Sequence, residues 1–100
     1  MSWEELALAL KSTKPGITQG KMFGMACLKR PDGKVFACLW PDRGMMIKLV
    51  DETERSNALA LAGTRLGFHA FDVSRPMREW VHVPTSLDGE WFRLAELASR

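Results

Sequence analysis

The chain contains no tyrosine, two cysteines, two histidines and no long apolar run. Each shortage excludes something. Without roughly 18 consecutive apolar residues, no helix can cross a membrane. Cys27 and Cys38 are too few to staple a mini-protein. They form no CxxC pair, and with His69 and His82 scattered they give no metal-ligand spacing, so no metal and no cofactor is expected. There is no repeat, no low-complexity tract and no gross charge imbalance, the net charge being +2. With 100 residues, 46% hydrophobic and 26% charged, the chain reads as one globular domain over residues 1–100. The opening Met1-Ser2-Trp3-Glu4-Glu5 lacks the positive start of a secretory signal, which points to a cytoplasmic protein.

What is present is a set of core anchors and a punctuated pattern. Four Trp and five Phe supply large apolar surfaces, and Met25, Met45 and Met46 read as gap-fillers among them. Ser2 and Glu5 have capping-box spacing, and Trp3, Leu6, Ala7 and Leu10 form one helical stripe ending before Lys14-Pro15-Gly16. Residues 14–21 then read as a loop. Met22 to Arg30, the turn Pro31-Asp32-Gly33-Lys34, and Val35 to Trp40 read as a hairpin. Met45 to Val50 is a third strand. Asp51 caps a second helix running through Ala62 and stopping at Gly63. Leu66 to Asp72 and Met77 to Val83 are two more strands, joined by a loop over Val73-Ser74-Arg75-Pro76. A last helix follows Pro84, with Leu87, Trp91, Leu94, Ala95 and Ala98 on its buried face. Strands that follow one another in hairpins predict an α+β domain with helices on one face of a mainly antiparallel five-stranded sheet.

Several tracts in order carry a resemblance: Lys21-Met22-Phe23-Gly24-Met25, Leu28-Lys29, Asp32-Gly33-Lys34, Phe36-Ala37, Ile47-Lys48-Leu49, Phe71-Asp72 and Arg75-Pro76-Met77-Arg78-Glu79-Trp80-Val81-His82-Val83-Pro84. Together, over roughly residues 20–98, they resemble the TfoX/Sxy N-terminal domain family, which includes many stand-alone small bacterial proteins. The resemblance implies the α-β(3)-α-β(2)-α two-layer fold and kinship with MmcQ/YjbR-like proteins, often described as putative DNA-binding proteins. It transfers no catalytic residue. Full-length competence regulators of the family carry a second, helical domain, and this chain ends at Arg100. Ala26 and Val73 stand where close stand-alone members often have proline, which reads as a loop or strand-edge adjustment.

The basic residues concentrate between residues 11 and 50, where eight Lys and Arg face Asp32 and Asp42. Lys29, Arg30, Lys34 and Lys48, with Arg75, Arg78 and Trp80, form the candidate surface for a partner or for nucleic acid. Gly16 to Lys21 fails as a phosphate loop, because three residues separate the glycines and Met22 replaces the required hydroxyl. His69 and His82 fall on the two late strands and read as structural. For the cysteines, the Pro31-Asp32-Gly33 turn favours a bulged register that pairs Leu28 with Phe36. That register puts the two thiols on opposite faces, reduced and unpaired. The expected function is a non-enzymatic regulatory module acting through a protein partner, including itself as a homodimer. Weak, non-sequence-specific DNA binding through the basic hairpin and the Arg75/Arg78 region is the alternative.

Overall fold

The computed structural model describes every residue from Met1 to Arg100. The chain folds in the order α1 (Trp3–Thr13), β1 (Thr18–Met22), β2 (Met25–Lys29), β3 (Val35–Leu39), β4 (Met45–Lys48), α2 (Glu52–Leu59), β5 (Arg65–His69), β6 (Asp72–Val83) and α3 (Trp91–Ala98). A 3-10 turn over Thr85–Glu90 leads into α3, so Leu87, expected on the buried face of that helix, lies before it and is only half-buried. All strand pairs are antiparallel, in the order β1-β2-β3-β4-β6-β5. The α+β class is as expected, but the sheet has six strands rather than five. No helix is long and apolar enough to cross a membrane.

The extra strand is β1, in the segment expected to be a loop. Phe23 and Gly24 take φ of 53° and 78° and form a two-residue turn that pairs Met22 with Met25. Positive φ at both central positions matches the twist of the flanking strands. Phenylalanine rarely accepts such a φ, so the local pattern hid the turn.

The helices start as their caps dictate. Ser2 Oγ accepts from the Glu5 N–H at 3.1 Å, and the Glu5 carboxylate accepts from the Ser2 N–H at 3.0 Å. Asp51 accepts from the Glu54 N–H at 2.9 Å and opens α2. That helix ends at Leu59, short of Ala62, where the Thr64 hydroxyl donates to the Ala58 and Leu61 carbonyls. Trp3, Leu6, Ala7 and Leu10 of α1 and Trp91, Leu94, Ala95 and Ala98 of α3 are buried against one sheet face. Leu28, Phe36, Ala37, Met45, Ile47, Leu49, Val81 and Val83 supply that face. Each large side chain fully buried there contributes about 1.5–3 kcal/mol by transfer out of water.

The register of β2 on β3 departs from expectation one pair beyond the tip. Lys29 pairs with Val35, but Leu28 pairs with Ala37 and Cys27 with Cys38. Phe36 is therefore an extra residue in the ladder. The bulge lets Phe36 and Ala37 both fill the helix-side core, and it turns Cys38 onto the same face as Cys27. The thiols are thus neighbours across the ladder, not on opposite faces as expected, and they are not bridged.

The β5–β6 hairpin holds the second departure. Val73 to Pro76 belong to β6, and the turn lies at Ala70 and Phe71. Leu66 pairs with Val81, yet the next residue, Gly67, pairs with Met77. Arg78, Glu79 and Trp80 are left out of the β5 ladder, and the hairpin bends there. Its distal half folds over the sheet face away from the helices. Gly67 sits against Met46 and Trp80, and the Trp40 indole N–H donates to the Phe68 carbonyl at 3.1 Å. Phe23 of the first turn meets His69 and Phe71, with ring centroids 4.9 and 6.1 Å apart. Under this flap lies a second core of Cys27, Cys38, Trp40, Met46, Phe68 and Trp80.

Candidate functional site

Of the candidate cations, Arg30, Lys34 and Lys48 share one cavity, and Arg78 follows on β6 next to the Glu79 that Lys48 contacts. Arg30 and Lys34 flank the β2–β3 turn, and Lys48 ends β4 beside them. These three line a cavity of about 120 Å³, walled by Val35, Phe36, Val50 and Ala98. Arg30 lies 3.3 Å from Asp32, and Lys48 lies 3.9 Å from Glu79. Lys29 does not line that cavity: its side chain crosses Gly20, where an added Cβ would be 2.7 Å from its Cε. Arg75 and Arg78 are exposed on the flap strand, and neither pairs with a carboxylate. Trp80 is buried at 9% exposure in the second core, so it offers no surface to a partner. Of the expected surface, Trp80 is thus the residue that lies inside the fold.

His82 sits in the sheet row that runs Cys27, Cys38, Met46, His82, with Met46 between it and the thiols. Its Nε2 is 2.8 Å from Asp42 Oδ2. That contact is short, but the ring N–H is not aligned along it, and Nε2 and Nδ1 both lack a well-directed partner. Burial pushes the Asp42 carboxyl up. The His82 contact and the Gly44 N–H, which donates to Asp42 at 2.9 Å, outweigh burial and hold it below its usual range. Burial also pushes the Cys27 thiol up. Cys38 is pushed well above the ordinary thiol range by burial and by the Cys27 sulfur beside it. Only the thiolate is an effective nucleophile, so burial disfavours the reactive form of both groups. His69 lies elsewhere, at the flap tip, where its Nδ1 accepts from the Phe71 N–H at 3.2 Å. The two histidines share no site.

The flap tip carries the residues that the sequence reading passed over. Phe23, Phe71 and Val73 are 46%, 73% and 68% exposed where two hairpin turns meet. The neighbouring cleft, about 250 Å³, is lined by Trp40, Pro41, Asp42, Arg65, Phe68, Ala70 and Val73. Arg65 stacks on the Phe68 ring at 4.4 Å. Exposed apolar residues grouped in this way mark interaction surfaces far better than single ones do. Phe23-Gly24 and Phe71-Asp72 were visible in sequence, but nothing local tells an outward ring from an inward one. No known family model, curated protein or solved structure matches the chain.

Proposed function

We propose that this domain is a non-enzymatic protein-interaction module of the TfoX N-terminal kind, docking through the flap tip. The carrying observation is the exposed cluster of Phe23, Phe71 and Val73 beside the Trp40–Phe68 cleft, in a fold that buries all four tryptophans. Aromatic side chains with little conformational freedom are effective interface anchors. A two-fold contact of tip against tip would cover the same rings on both copies, the closed arrangement of a homodimer. Weak DNA binding has less support. Asp32 and Glu79 engage Arg30 and Lys48, and Trp80 is buried.

Light scattering across a concentration series tests this reading. The wild-type mass should rise from 11.3 kDa towards twice that value. Phe71→Asp should hold it at one chain while leaving the circular dichroism spectrum unchanged. A wild-type mass fixed at one chain at every concentration would overturn self-association.

A further inference from the structure

At the other end of β2 from Phe23, three cations close on one small cavity. Arg30, Lys34 and Lys48 line it, over a floor that includes Val35, Phe36 and Val50. Arg30 Nε is buried and has no acceptor anywhere in the chain. Another nitrogen of the same guanidinium reaches Asp32 at 3.3 Å, so the fork is only half used. Buried donors are nearly always satisfied in folded proteins, and a charged donor left over is the costliest kind. Lys34 has no ion-pair partner, and Lys48 holds Glu79 only at 3.9 Å. The apolar floor lowers the local dielectric and strengthens attraction for an anion.

We propose that this cavity binds a single phosphate group, as a phosphate monoester or the free ion. A guanidinium fork with two ammonium groups suits a compact anion with several acceptor oxygens. The oxygens would accept from the outer guanidinium nitrogens of Arg30 and from the Lys34 and Lys48 ammonium groups, with Nε–H reporting the change from behind. The next cavity shares Arg30 and Lys48 and continues towards Asp51, Glu54 and Arg100. The two carboxylates there suit a hydroxylated remainder of the ester. The site lies apart from the flap tip and does not depend on the docking reading.

The test is a nitrogen-15 NMR titration of the full chain, including the Arg Nε–H signals, at constant ionic strength. The probes are inorganic phosphate, glycerol 3-phosphate, a short DNA duplex and, as control, chloride. Phosphate and glycerol 3-phosphate should shift the Arg30 Nε–H signal saturably. Lys34→Ala should weaken both by roughly fivefold to tenfold with the rest of the spectrum unmoved, as loss of one charge-assisted contact at a partly open site implies. Lys34 is exposed on the turn, so this variant keeps the fold. Linear shifts matched by chloride would overturn the proposal. So would unchanged affinity in both Lys34→Ala and Lys48→Ala, or shifts given by the duplex but by neither small phosphate.

Discussion

Gly67 marks where the flap touches the sheet. A Cβ added there would lie 2.5 Å from Trp80 Cβ and 3.0 Å from the Trp80 carbonyl carbon. Main chain cannot swing aside as a side-chain end can. Gly67→Ala should therefore lower the stability read from urea unfolding by about 1–3 kcal/mol, the usual cost of overpacking. An unchanged urea midpoint would mean that the flap does not rest on Trp80. Gly44 has a related role, since a Cβ there would be 2.5 Å from His82 Nε2, and its absence admits the imidazole to Asp42. Asp42 titrates below its ordinary value of 3.8 in the folded protein. A carboxyl lowered on folding adds stability that is complete above the ordinary value and is lost as pH falls through the folded one. Wild-type Tm should thus drop more steeply than that of Asp42→Asn between about pH 5 and about pH 3. Parallel curves would show that the His82 contact contributes nothing.

Elements differ in how far their own residues announce them. Ser2 with Glu5, Asp51 with Glu54, and the stripes of α1 and α3 are local signals, and each marks a helix, although α2 stops short of Ala62 and α3 begins only at Trp91. Lys29, Arg30 and Lys34 at the hairpin tip were equally plain, yet only Arg30 and Lys34 meet Lys48 at one cavity. The failures are non-local. β1 depended on Phe23 accepting a left-handed backbone, and the flap depended on a slip that only packing over Met46 and Trp80 rewards. The bulge at Phe36 is of the same kind, because helix-side packing chose it over the register the turn alone favours. It also decides the chemistry of the cysteines. Paired across β2 and β3, 1% and 0% exposed and held protonated, both thiols should resist an aromatic disulfide reagent in the native protein. Both should react promptly in denaturant. Fast labelling of either under native conditions would show that the flap is open much of the time.

The whole molecule is a sheet with two unequal cores. Eighteen buried residues form the helix-side cluster, and six form the one beneath the flap. The smaller core is closed by one hairpin arm, so it can open without the larger one. Cooperative units of this kind exchange their amides at an opening free energy below that of global unfolding. The amides of Gly67 to Met77 should then exchange faster than those of β3 and β4. Leu6→Ala separates this from global opening, because Leu6 is wholly buried in the helix-side core and does not touch the flap cluster. Losing it weakens the native and flap-open forms alike relative to the unfolded chain. Protection in β3 and β4 should fall by about 2–5 kcal/mol, as for other buried leucines, while the flap amides keep their opening free energy. If the flap amides fell in step with β3 and β4, the flap would open only when the whole domain unfolds, and docking at its tip would have to proceed on a rigid surface.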